Sequence, residues 1–301
     1  MPAHAGLTFT TTFDSTVNAA AQSAILSGLT EYGSLFSDNV NVSLGFKSSG
    51  TGLGTSLSST VAIDYKTFYN ALVLDSKSVD DSTALTRLAV DGAGFLNPAS
   101  GTNQIEQGRA GLKAVGLDYD AIFFADPNYR DGIIDLNLGI MNFDRISIDP
   151  NKYDLKAVLD HEVNEVLGSI SGLSTDNIRP VDLFRFNAAG SRTYTTAGDD
   201  AYFSINGSNL LARYNQIAGS DYGDFYSCND TSPTHLSQVQ DACTSPGTMA
   251  NMGVETRLLD VVGWDRQTTT VPEPETYALM LAGLGVVGFA ARRRKADLLT
   301  A

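Results

Sequence analysis

Histidine is scarce in this chain of 301 residues: there are three, His4, His161 and His235, which leaves little room for an imidazole-based metal centre. Cysteine is rarer still. Cys228 and Cys243 are too few for a Cys-rich zinc module or a disulfide-framework miniprotein. Basic residues are outnumbered, 20 against 34 acidic ones, for a formal net charge of −14. A nucleic-acid binder needs the opposite balance, because phosphate attraction requires a basic surface. Charged residues of both signs make up 18% of the chain, below the usual ~25%; Ser, Thr, Asn and Gly stand in their place, which suits a secreted protein. There is no GxSxG, P-loop or dinucleotide fingerprint. What the chain does have is 43% hydrophobic residues, enough for a real core, so wholesale disorder is excluded.

The charge is unevenly placed. Residues 272–301 hold four basic and three acidic side chains, so the rest carries 16 basic and 31 acidic residues, a net of −15. Within the tail, Thr276 to Ala291 is an uncharged apolar run that ends at Arg292, Arg293, Arg294 and Lys295. As a helix it would span ~24 Å, close to a ~30 Å hydrocarbon core once arginine snorkelling is counted. The basic cluster places 296–301 in the cytoplasm and the body outside it. Ahead of the run stand Pro272, Glu273 and Pro274.

This order, VPEP then an apolar helix then an arginine cluster, resembles the PEP-CTERM sorting signal, also known as the ice-binding protein C-terminal domain. The resemblance implies recognition by an exosortase in the inner membrane of a Gram-negative bacterium and cleavage near Pro272-Glu273-Pro274. A transient transmembrane helix at 276–291 would hold the body in the periplasm before it moves to the cell surface or extracellular matrix. The domain's name does not make the body an ice binder, and no Thr-x-Thr ladder repeats along it. Residues 272–295 are thus expected as the signal, 266–271 as a linker and 7–265 as the body. Residues 1–6, with Ala3-His4-Ala5 in the small-x-small form of a signal-peptidase site but no basic or apolar region ahead of it, read as the remnant of a leader, with a chance match as the alternative. In an oxidising compartment Cys228 and Cys243 can pair; two free buried thiols are the alternative.

In the body, Leu7–Phe13 and Asn39–Phe46 alternate as strands do, and between them Thr16 to Phe36 reads as a helix with Asp14 or Ser15 as its cap. Gly50 to Ser59 reads as a flexible or edge segment, and Tyr65 to Val90 as helix broken near Asp75 to Asp81. Gln104 to Val115 is ambiguous, Ala121 to Phe124 a short buried strand, and Ile133 to Phe143 a strand pair or edge strand. Asp154 to Ile170 is the best helix, closed by Gly172, and Glu255 to Val262 is a last amphipathic stretch.

That best helix carries Asp160-His161-Glu162-Val163-Asn164-Glu165-Val166-Leu167-Gly168. His161 and Glu165, spaced i, i+4, project from one face and can share a metal. Glu162 lies about 100° round, where its carboxylate can reach a water beside that metal. This is the zincin HExxH arrangement with the second His replaced by Glu. A glutamate ligand lowers the positive charge of the site and acidifies water less than a histidine would. The alternative is a solvated acidic face with an incidental histidine.

With Pro180–Phe186 (PVDLFRF), Ala201–Ile205 (AYFSI) and Leu259–Trp264 (LDVVGW), the body resembles the zinc metalloproteases of exported bacterial proteins that carry HEIxE-VLGR, PLDLFRY-type and LDVIGW motifs. The resemblance implies an α/β (α+β) fold: a metzincin-like zincin domain with a mixed sheet, an active-site helix and a loop-rich C-terminal half. It further implies zinc, a peptide or protein substrate, His161 and Glu165 as ligands and Glu162 as catalytic base. Two departures matter. The position of the third metzincin ligand is Ser171, and the family's Arg after the glycine is Ser169. Asp182 is the leading candidate for the third ligand, with pairing to Arg185 or Arg179 as its alternative role. His235, in the loop between the cysteines, is the next. Thr248-Met249 is a candidate Met-turn. The turns at Asp144–Asp149, Asp199-Asp200 and Asp221–Asp224 are of a kind that binds Ca2+, but they lack EF-hand spacing and read as solvated. Two functions stand: an exported zinc-dependent metallopeptidase, or a non-catalytic surface or matrix protein on a degenerate zincin scaffold.

Overall fold

A computed structural model describes residues 6–88, 95–117, 129–175, 177–198, 200–228, 230 and 236–267. The chain divides into two units, Met1–Arg266 and Gln267–Ala301. The expected sorting segment, its span 276–291 and Arg292 to Arg294 lie outside the described residues, as do His235 and the strand expected at 121–124. Among the described residues no helix is long and apolar enough to cross a membrane.

The first unit is mixed α/β, with six α-helices among the described residues. Strand β1 (Thr8–Phe13) pairs in parallel with β2 (Asn41–Ser48), from Thr8 opposite Asn41 to Phe13 opposite Phe46. The two phenylalanines stack with centroids 5.5 Å apart. Helix α1 (Ala19–Gly33) connects the strands, as a parallel pair requires. Its cap is Asn18, which accepts from the Ala21 amide at 3.0 Å. Asp14, the expected cap, instead accepts from the Thr16 amide at 2.9 Å, because the chain needs one more turn before the helix begins. Ala21, Ile25, Leu29 and Tyr32 form the buried stripe.

After β3 (Gly54–Leu57) and β4 (Thr60–Asp64) come α2 (Tyr65–Asp75) and α3 (Val79–Leu88), broken where the sequence predicts. The ambiguous stretch resolves into β5 (Gln104–Gly108), paired with β4, and α4 (Arg109–Ala114). Strand β6 (Gly132–Leu136) lies inside the four-stranded sheet, ordered β1-β2-β6-β3. It runs parallel to β2 and antiparallel to β3, so β3 is the edge, as expected for one reading of its segment. The short strands β7 (Met141–Asn142) and β8 (Tyr153–Asp154) pair next to α5 (Leu155–Asn164).

Helix α5 packs on α1 at close range: a Cβ on Gly28 would stand 2.8 Å from Leu159 Cδ2. Asp154 caps α5, accepting from the Ala157 amide at 3.1 Å. The helix does not run to Ile170. It continues as a single π-type turn, Glu165–Ser169, and Gly168, with φ of 130°, ends it four residues before Gly172. Such a φ strains any side-chain-bearing residue. The carbonyl of Leu167 freed there accepts from the buried Trp264 Nε1 at 2.9 Å, so the LDVVGW segment closes the turn that follows HEVNE. Beyond it the chain is loop-rich: a 3-10 turn (Pro180–Phe184), the small antiparallel strands β9 (Arg185–Phe186), β10 (Tyr202–Phe203) and β11 (Ala212–Arg213), then α6 (Val254–Val261).

Candidate metal centre

The face of α5 opposite its core stripe opens on a cavity of about 500 Å3. Its walls are Leu53 to Ser56 of the edge-strand region, His161, Glu162 and Glu165 of the helix and π-turn, and segments around Asp221–Asp224 and Gln238–Ala242. Leu159 and Val163, which do not line it, anchor α5 in the core. That anchoring leaves the polar HExxE face no freedom to rotate.

His161 Nδ1 is 2.9 Å from the carbonyl of Val239. A carbonyl only accepts, so Nδ1 carries a proton and donates it there, and Nε2 points into the cavity. There it meets two carboxylates, Glu165 Oε1 at 3.6 Å and Asp224 Oδ1 at 3.5 Å. One ligand atom from each of the three residues lies within 4.8 Å of the others. Each carboxylate is held in turn: Ser56 Oγ donates to Glu165 Oε2 at 2.6 Å, and Gln240 Nε2 donates to Asp224 Oδ1 at 2.9 Å.

Glu162 faces the edge strand rather than the cluster's centre. A Cβ on Gly54 would stand 2.4 Å from Glu162 Oε1, so this close approach requires glycine. Its Oε2 is buried without a hydrogen-bond partner. Burial, then the charge of Glu165, pushes the Glu162 pKa up to about 8. Asp224 is pushed up to about 6 by burial, against the pull of His161. Burial works against the imidazolium of His161, but Asp224 and Glu165 outweigh it and hold its pKa well above the usual value. Burial also works against the Glu165 anion, yet its bond to His161 keeps that carboxyl below its ordinary pKa. The cluster is therefore built to hold positive charge: a proton on His161, or a cation in its place.

The structure brings His161, Glu162 and Glu165 together and does not bring Asp182 to them. Asp182 is buried elsewhere with both oxygens engaged. Oδ1 accepts from Ser171 Oγ at 2.6 Å; Oδ2 accepts from the Gly172 and Arg179 amides at 2.9 and 3.0 Å. It staples the turn after Gly168 and caps the 3-10 turn, which is why a fully buried carboxylate is tolerated there. Its expected partner Arg185, also fully buried, donates to the Tyr222 carbonyl at 2.6 Å and lies 4.7 Å over the Tyr214 ring. Arg185 thus braces the loop that carries Asp224. Ser171, at the metzincin third-ligand position, is spent on Asp182. Met249 is 45% exposed and does not floor the site. Cys228 and Cys243 form a disulfide with Cα atoms 4.8 Å apart.

Asp224 and Gln240 are the residues that sequence reasoning missed. Asp224 sits in the DYGD turn, which reads as solvated. Its neighbour Phe225 is buried, and Phe225 N donates to the Gln240 carbonyl at 2.7 Å; the Asp-Phe step next to Cys228 is the only local hint. The other aspartate turns stay local: Asp144 accepts from the Ile146 and Ser147 amides, both at 2.9 Å, and Asp200 pairs with Arg213 at 2.6 Å.

No curated protein and no solved structure matches the chain. Residues 270–295 match a family model, the PEP-CTERM protein-sorting motif, and that motif marks the chain as an exported protein, recognised by exosortase and sorted to the surface.

Proposed function

We propose that the body is a zinc-dependent metallopeptidase of metzincin-like architecture, with His161, Glu165 and Asp224 as ligands and Glu162 as the proton-transferring base. The observation that carries this reading is the Nε2 of His161 facing two braced carboxylates at 3.5 and 3.6 Å. The spacing fits the group: donors ~2.0–2.1 Å from one tetrahedral zinc ion lie roughly 3.3–3.4 Å apart. The ligands carry their own second layer, Val239 on the imidazole and Ser56 and Gln240 on the carboxylates, as metal sites do.

When bound, zinc supplies Lewis acidity, polarising a carbonyl and making water more acidic. The chain's own residues do the rest. Glu162, whose side chain lines the cavity, takes a proton from water and passes it to the leaving amine. Leu53 to Ser56 hold one side of the cavity, and its volume of about 500 Å3 admits a short peptide segment. Anchoring by 276–291 and cleavage near Pro272-Glu273-Pro274 complete the path of the body to the surface or matrix.

Bound zinc and hydrolysis of a broad peptide library are the measurements. His161→Ala should abolish stoichiometric zinc; Glu162→Gln should keep it and lose turnover. A well-folded protein that takes up no zinc would sink the proposal. The single histidine among the three donors favours a second reading, a non-catalytic surface protein on the same scaffold. In that case wild type has no turnover for Glu162→Gln to remove.

A further inference from the structure

Asp224 reaches the cluster from a loop, and a carboxylate on a loop must be aimed. Gln240, fully buried, does the aiming, and its amide has one way round. Gln240 Oε1 accepts from Asn164 Nδ2 at 3.1 Å and from Ser169 Oγ at 3.2 Å, which leaves Nε2 facing Asp224 Oδ1 at 2.9 Å, with His161 Nε2 farther off at 3.5 Å. Asn164 is oriented in the same way, its Oδ1 accepting from Tyr32 Oη at 2.6 Å. The direction of donation therefore runs from α1 through the HEVNE helix to Asp224, since an amide's orientation is set by its network. The Gln240 backbone is pinned as well: its N–H donates to Glu255 Oε1 of α6 at 3.1 Å.

The arm bearing Gln240 is tied to the arm bearing Asp224. Phe225 N donates to the Gln240 carbonyl at 2.7 Å, and Ala242 N to the Phe225 carbonyl at 2.9 Å. The Cys228–Cys243 disulfide closes the pair. Val239, whose carbonyl accepts from His161 Nδ1, lies on the same arm. One covalent bond thus secures both the partner of Asp224 and the partner of His161.

We propose that Gln240, held on the arm closed by Cys228–Cys243, is the positioning residue that turns Asp224 toward His161 and Glu165, so that the third ligand is in place only once the disulfide has formed. The proposal rests on the zinc reading above. Forming the bond takes two protons and two electrons from the two thiols; the electrons reduce a protein disulfide oxidant of the kind found outside the cytoplasm. The sorting motif sends the chain outside, so metal loading follows export.

The test uses the full oxidised chain, with Zn2+ affinity from competition with a chromophoric chelator and Co2+ visible absorption as a report on coordination. Gln240→Leu should weaken Zn2+ binding about 10- to 100-fold, the usual cost of losing an outer partner of a ligand, and should change the Co2+ bands. Gln240→Glu should do at least as badly, since it keeps the acceptor for Asn164 and Ser169 but turns a like charge on Asp224. In an Asp224→Ala background Gln240→Leu should cost far less than in wild type, because it acts chiefly through Asp224. Cys228→Ser/Cys243→Ser should lose affinity by a similar factor. Thermal melting checks that each variant is folded; should Gln240→Leu not fold, Gln240→Glu and the cysteine pair carry the test. Wild-type affinity in folded Gln240→Glu, or an undiminished loss in the Asp224→Ala background, overturns the positioning role. Wild-type affinity in the cysteine pair overturns its dependence on the disulfide. A wild type that binds neither metal overturns the zinc reading itself, and this proposal with it.

Discussion

Gly54→Ala is the most revealing single change, because on the zinc reading it displaces the proposed base and not the proposed ligands. The added Cβ would stand 2.4 Å from Glu162 Oε1, 2.9 Å from its Cδ and 2.9 Å from Val158 Cγ1. Carbon and oxygen need more than 3 Å, so the carboxylate must swing away by roughly 1 Å. A misplacement of that size costs about 100-fold in rate when the displaced group does chemistry, equivalent to ~2.7 kcal/mol of barrier. The three atoms nearest the new methyl group belong to Glu162 and Val158, none to His161, Glu165 or Asp224. Zinc affinity should therefore stay within about 3-fold, and alanine's gain over glycine in a strand, about 0.5–1 kcal/mol, offsets part of the strain. The assay is kcat/KM on the best peptide of a library, with chelator competition in parallel. Unchanged turnover with zinc retained would refute the placement of Glu162 against β3. A matched loss of zinc would refute its independence from the ligands.

Two further outcomes test the frame around the site. Trp264→Phe removes the N–H that satisfies the Leu167 carbonyl at 2.9 Å; it should cost about 1–3 kcal/mol by denaturant unfolding, and a change below about 0.5 kcal/mol would refute the role of LDVVGW in closing the π-turn. Burial, then the charge of Asp265, pushes both Asp38 and Asp75 up to about 7. The folded state then holds protons that the unfolded chain releases near its ordinary carboxylate pKa, so this stability is lost as pH rises toward and through 7. Asp75→Asn should flatten the decline between pH 5.5 and 8 by about 2 kcal/mol; a profile parallel to wild type would show that Asp75 does not hold that proton.

Much of the site's helix was legible because its signals are local. Period-2 alternation gave away β1 and β2, and the i, i+4 spacing put His161 and Glu165 on one face whatever the rest of the chain did. The helix end was misplaced because Gly168 and Gly172 are equal as residues; only the packing that brings Trp264 to the Leu167 carbonyl makes the earlier one the stop. Asp182 reads as a ligand because it is the acidic residue of the DLFRF motif, with pairing to Arg185 or Arg179 as its alternative. It went instead to three donors that the turn after the helix left unpaired.

From sequence alone come the sorting tail, the acidic exported body and the HExxE face, since each depends on residues adjacent along the chain or one helical turn apart. Tertiary structure decided the rest of the centre. It brought Asp224 rather than Asp182 to His161 and Glu165, set Nδ1 of His161 on the Val239 carbonyl, and put Gln240 between the HEVNE helix and the loop. Those contacts join segments far apart in the chain, and no spacing rule foretells them. Burial makes them obligatory, because a carboxylate or amide withdrawn from water must find its partner wherever the fold provides one.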